Sequence, residues 1–207
     1  MSPIIKIVVL GDSGVGKSSL LTQYVHKTYS SSYKATVGLD FHTQSVKVGK
    51  RVFTVQLWDT AGQERFQSLG SAFFRGSDGV VLTYDVTNKA SFNSLEHWKD
   101  DFIIQSCPPN PEKFPIVVVG NKCDRTDRRI TAFAAEKFCL EHGDLDHFEA
   151  SAKSGTNVAE AIECLVEKAV NNIPEEEDFS FVSTVDLQHD SNAQGMFSRF
   201  FGKCSFF

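Results

Sequence analysis

The chain of 207 residues lacks any long apolar run, any C-x-x-C pair and any excess of basic charge. Its hydrophobic stretches are short and interrupted, which excludes a transmembrane helix. Five cysteines (Cys107, Cys123, Cys139, Cys164, Cys204) are an odd number spread along the sequence. That pattern fits neither a disulfide frame nor a zinc or redox pair, and reads as reduced thiols. The net charge of -5 carries no basic footprint for nucleic acid, so no nucleic-acid partner is expected. The first residues, Met-Ser-Pro, show no cationic stretch followed by an apolar one, so the expected compartment is the cytosol. Disorder throughout is excluded as well, because 41 % hydrophobic and 23 % charged residues are ordinary for a folding domain. The length allows one α/β domain plus a tail.

What is present is an alternation of strand and helix signals. Residues 4–10 (IIKIVVL) are a β-branched run ending at Gly11, and 18–25 follow as a helix. Residues 53–59 alternate Phe53, Val55, Leu57 with Thr54, Gln56, Trp58, while 79–86 and 116–119 are near-continuous apolar runs suited to strands buried on both faces. Residues 147–150 read as a further strand, 91–106 and 131–142 as helices. Val158, Ala161, Ile162, Leu165, Val166 and Ala169 recur at helical spacing before Pro174. The order βα, β, βα, βα, βα points to a doubly wound α/β domain over 1–174. From Glu175 to Phe207 the periodicity stops. Six acidic residues there (Glu175, Glu176, Glu177, Asp178, Asp186, Asp190) face only Arg199 and Lys203, and the segment reads as a solvated, disordered arm.

Gly11 to Ser18 (GDSGVGKS) fits G-x-x-x-x-G-K-[ST] between a strand and a helix. Glycines let backbone N–H groups turn toward a phosphate, and the helix N-terminus adds its positive end. Lys17 reaches the outer phosphates and Ser18 offers a hydroxyl to magnesium. Ser13, Gly14, Val15, Gly16, Lys17, Ser18 and Ser19 are therefore the candidate phosphate-binding residues. Asn121, Lys122 and Asp124 (NKCD) follow the strand 116–119, at the edge where open α/β sheets bind ligands. A carboxylate at Asp124 pairs with guanine's N1–H and exocyclic amine and is left unpaired by adenine. Ser151-Ala152-Lys153 follows the last strand and supplies a backbone N–H (Ala152) and an apolar stem (Lys153) for the base. Asp59 to Glu64 (DTAGQE) gives a magnesium carboxylate in Asp59, a close γ-phosphate contact in Gly62 and a water-orienting amide in Gln63. Thr36 adds a second metal hydroxyl, so Ser18, Thr36 and Asp59 are the candidate magnesium ligands.

In chain order, the phosphate loop, threonine loop, DTAGQE, NKCD and SAK resemble the Ras-like small GTPases over about residues 4–173. The resemblance implies a P-loop NTPase fold with a six-stranded, mostly parallel sheet, GTP and GDP as ligands, and Mg2+ as cofactor. Residues 37–41 (VGLDF), 57–66 (LWDTAGQERF), 73–77 (FFRGS) and 82–87 (LTYDVT) resemble Rab proteins in particular. Val37, Phe41, Trp58 and Phe73 then match the surface that effectors read. Residues 33–36 (YKAT), 63–70 (QERFQSLG) and Phe114-Pro115 look most like the Rab seven subfamily of late endosomes and lysosomes.

That resemblance implies a monomeric switch on the cytoplasmic face of late endosomal, lysosomal or phagosomal membranes. It also implies an exchange factor, a GTPase-activating protein and a GDP-dissociation inhibitor as partners. The end of the chain departs from the usual pair of Rab cysteines: Cys204-Ser-Phe-Phe fits C-a-a-X, with the terminal Phe favouring geranylgeranyl. One such chain binds membrane weakly, so Phe197, Phe200 and Phe201 are expected to assist it. Two rivals remain. A metabolic P-loop kinase or ATPase conflicts with NKCD, and a GTP-bound adaptor that never cycles is separated by turnover.

Overall fold

The computed structural model describes residues 2–31, 36, 39–60 and 73–173. Strand β1 (Ile4–Leu10) lies in the middle of a six-stranded sheet. Alternation of its side chains feeds two cores: Ile5, Ile7 and Val9 point to one face, Val8 and Leu10 to the other. The remaining strands are β2 (Leu39–Val48), β3 (Arg51–Thr60), β4 (Gly79–Asp85), β5 (Ile116–Asn121) and β6 (Asp146–Glu149). Their order is β2-β3-β1-β4-β5-β6, and every pair is parallel except β2–β3. The near-continuous apolar runs of β4 and β5 are buried along their full lengths, as covered parallel strands require.

Helices cover both faces. On one lie α1 (Lys17–His26) and α5 (Val158–Asn171), packing Leu20, Leu21, Tyr24, Ala161, Ile162 and Leu165 on the sheet. On the other lie α2 (Lys89–Asn93), α3 (Leu95–Ser106) and α4 (Ala132–Glu141), with Leu95, Phe102, Ala135 and Cys139 against Val80, Leu82 and Val118. Two features differ from the sequence expectation. The stretch 91–106 is two helices, because the chain is capped at Asn88, whose side chain accepts from Ala90 N–H (2.9 Å), and breaks at Ser94. The strand β2 has no counterpart among the runs read from the sequence, since its Leu39–Val48 segment is an edge carrying polar residues.

The contacts along the chain separate Met1–Pro174 from Glu175–Phe207. Among the described residues no helix is long and apolar enough to cross a membrane.

Candidate nucleotide site

The site forms at the carboxyl ends of β1, β3, β5 and β6, at the edge of the sheet where open α/β folds bind ligands. β1 ends against Gly11, whose φ of +137° and position leave no room for a side chain: a Cβ there falls 2.1 Å from the Thr83 carbonyl oxygen. Gly16, the N-cap of α1 at φ +99°, is confined the same way by the Asn121 amide 2.4 Å from a Cβ. Between them the loop turns its backbone into a cavity of about 630 Å³ lined by Ser13, Gly14, Lys17, Ser18, Asp124 and Lys153 among others. Ser19 and Ala152 also line it, whereas Val15 turns its side chain into the protein and is buried.

Lys17 is buried and donates to the carbonyls of Gly11 (2.7 Å) and Asp12 (3.0 Å). Burial lowers its pKa to about 8, partly offset by the charges of Asp59 and Asp12. Ser18 and Thr36 hydroxyls lie 2.8 Å apart, and Thr36 donates to Asp59 at 3.5 Å. Asp59 is 3 % exposed, burial raises its pKa above the usual carboxylate range, and its Oδ1 has no hydrogen-bond partner among the described residues. Two hydroxyls beside a buried carboxylate with a vacant oxygen form a hard, all-oxygen donor set, which fits Mg2+ completed by phosphate and water.

At the base end, Ser151 Oγ donates to Asp124 Oδ1 (2.6 Å) and orients that carboxylate. Asn121 straps the loops together: its amide donates to the Val15 carbonyl (2.8 Å) and its oxygen accepts from Ala152 N–H (3.1 Å). The Ala152 N–H assigned to the base by sequence is thus engaged by Asn121. Lys122 Nζ bridges the Gly14 carbonyl (2.8 Å) and Asp85 (2.7 Å). Burial raises the Asp85 pKa, but hydrogen bonds from Lys122 and Thr87 outweigh it and hold the group below the usual range.

Asp85 and Tyr29 are residues that sequence reasoning missed. Tyr29 sits beside Ser30 and Ser31 in the same cavity wall, with 44 % of its surface exposed. An aromatic three residues past the end of α1 belongs to no motif and gave no signal.

Phe41, Trp58 and Phe73 form one aromatic cluster. Phe41 and Trp58 are cross-strand partners with rings stacked at 5.6 Å, and Phe73 lies 6.2 Å from Trp58. Phe41 is 57 % exposed, and Lys6 lies over the Trp58 ring at 4.9 Å while donating to the Phe73 carbonyl. Val37, Gly62, Gln63 and Cys204 lie outside the described residues.

A doubly wound sheet with a phosphate-binding loop, a base loop and an all-oxygen metal set defines a P-loop GTPase of the Ras type. The Ras family profile matches residues 6–171, and the chain belongs to that family. Among similar proteins are the Ras-related protein Rab7A of Mesembryanthemum crystallinum, 48 % identical over 92 % of this chain and 93 % of that one. The Ras-related protein RABG3f of Arabidopsis thaliana is 49 % identical over 89 % and 90 %. The Ras-related protein Rab-7a of Paramecium octaurelia is 49 % identical over 91 % of each. Within the Ras family the chain is accordingly a Rab7-like small GTPase, a nucleotide-binding enzyme of membrane trafficking.

Proposed function

We propose that the protein is a GTP/GDP switch whose product is a conformation that recruits effectors to late endosomal, lysosomal or phagosomal membranes. The observation that carries this is one cavity with two chemistries: an oriented carboxylate, Asp124, at one end, and Ser18 and Thr36, backed by the buried Asp59, at the other. Asp124, oriented by the hydrogen bond from Ser151, pairs with two guanine donors, and adenine, which lacks those donors, leaves it underpaired. Lys17 and the loop N–H groups hold the outer phosphates. Ser18, Thr36 and Asp59 would hold Mg2+, and the chemistry it would supply there is neutralisation of the phosphate charge.

Thr36 and Gly62 sense the γ-phosphate; their loops are held while it is present and released when it leaves. Gln63 orients the attacking water. Without an arginine supplied in trans, turnover is expected on the order of 10⁻⁴ to 10⁻³ s⁻¹, so a GTPase-activating protein and an exchange factor set the cycle. Effectors read Val37, Phe41, Trp58 and Phe73, and the stacked, partly exposed rings supply the low-entropy apolar contact such partners need. The segment 175–207 carries a geranylgeranyl group on Cys204, aided by Phe197, Phe200 and Phe201, and a GDP-dissociation inhibitor shields the lipid in the cytosol.

Two experiments test this reading. Purified protein hydrolyses GTP slowly in Mg2+, and Gln63→Leu lowers that rate at least about tenfold; undiminished turnover in the variant removes Gln63 from the chemistry. Metabolic labelling with a prenyl precursor marks Cys204 and is lost in Cys204→Ser. An unlabelled wild type contradicts the lipid anchor.

A further inference from the structure

The phosphate loop contains a group of the wrong sign. Asp12 follows Gly11 directly, in a segment whose backbone is shaped to face a polyanion, and its carboxylate is turned away from the cavity. Its Oδ1 accepts the indole N–H of Trp98 at 2.8 Å and its Oδ2 accepts the Ser94 hydroxyl at 3.0 Å. Both donors come from the start of α3, its N-cap Ser94 and its fourth residue Trp98, more than eighty residues along the chain. Ser94 is the N-cap of that helix, yet its side chain caps none of the helix's own N–H groups; the hydroxyl points to Asp12 and to the Ala90 carbonyl (3.0 Å). A capping serine ordinarily accepts from its own helix; here the hydroxyl is instead a donor whose one proton is shared between the Asp12 carboxylate and the Ala90 carbonyl, which leaves the Trp98 N–H as the undivided donor to Asp12. The helix is in turn fixed by the core, with Leu95 and Phe102 fully buried and Trp98 packed at its margin. The Asp12 carbonyl meanwhile accepts from Lys17 (3.0 Å), the residue that meets the phosphates.

We propose that Trp98 and Ser94 are positioning residues for nucleotide binding: they hold the Asp12 carboxylate against α3, away from the phosphates, and so fix the loop that carries Lys17. The inference rests on the reading of this cavity as a guanine nucleotide site. Released from α3, the Asp12 side chain repels the phosphate anions and the Lys17 carbonyl clamp loosens. Two charge-assisted hydrogen bonds to a core-anchored helix are strong enough to matter for residence time.

The test follows release of GDP carrying a fluorescent ribose label from the full chain in Mg2+, after excess unlabelled GDP. Trp98→Phe keeps the ring and removes the N–H, and is expected to speed release about tenfold. In an Asp12→Ala background, where no carboxylate remains to be held, the same change alters release less than about twofold. A merely structural role for the indole predicts equal acceleration in both backgrounds, and that result, or no acceleration in either, overturns the proposal. Should Trp98→Phe fail to fold, Ser94→Ala carries the same comparison with Asp12→Ala. A wild type that retains no guanine nucleotide overturns the reading of the site itself, whereas a wild type that retains GDP without coupling overturns this inference alone.

Discussion

Lys17 is held in an environment that disfavours its charge, and this has a measurable sign. With its folded pKa lowered to about 8 from 10.5, the unfolded chain binds more protons than the native one between those values. Native stability from this group therefore rises as pH climbs from about 8 to 10.5 and is at its least below 8. Nucleotide-free Lys17→Met is expected to be more stable than wild type at pH 7, by as much as about 3 kcal/mol, with the advantage shrinking above pH 8. Urea unfolding of both proteins across that range checks it; an advantage independent of pH contradicts it. The motif residues were legible because phosphate, metal and base chemistry fix residue type and spacing together. Tyr29, Asp85 and the Asp12–Trp98 contact were not, because their roles depend on neighbours brought up by the fold: Asp85 matters through Lys122 thirty-seven positions away. Likewise Asn121 read as a nucleotide-binding residue, and nothing in its motif announced that its side chain also ties the Val15 carbonyl to the Ala152 N–H.

Among the elements, those buried on two faces announced themselves most clearly. β1, β4 and β5 read from their apolar runs, and α5 from a stripe whose members Val158, Ala161, Ile162, Leu165, Val166 and Ala169 are all buried. β2 did not, since an edge strand half open to solvent carries His42, Thr43, Gln44, Ser45 and Lys47 with no sustained apolar alternation. The division of 91–106 at Ser94 was equally silent, because Ser at a helix start and Ser within a helix look alike until a partner such as Asp12 is placed. α5 secures the central sheet through Leu165, fully buried and in contact with the Gly79 backbone, where a Cβ would lie 2.9 Å from its side chain. Leu165→Ala is expected to cost about 2–5 kcal/mol of stability. Denaturant titration checks this, and a loss below about 1 kcal/mol would show that α5 is not a principal cover of that face.

At the scale of the whole molecule, the sheet gathers segments spread from Ser13 to Lys153 into one cavity, with phosphate and metal groups at one end and a base reader at the other. The doubly wound order and the covered parallel strands were legible from the alternation of elements. The segment beyond Pro174 differs in composition: its acidic excess and seven phenylalanines stand apart from the alternating pattern of the preceding residues. The central claim is that this cavity selects guanine through Asp124 and turns GTP over as a switch. It is tested most directly by identifying the nucleotide released from purified wild type and from Asp124→Asn, together with GTP turnover of the wild type in Mg2+. Guanine nucleotide on the wild type, its loss or exchange for xanthine nucleotide on the variant, and slow turnover are the predicted results. Adenine nucleotide on the wild type, or guanine nucleotide held without any turnover, would contradict the account.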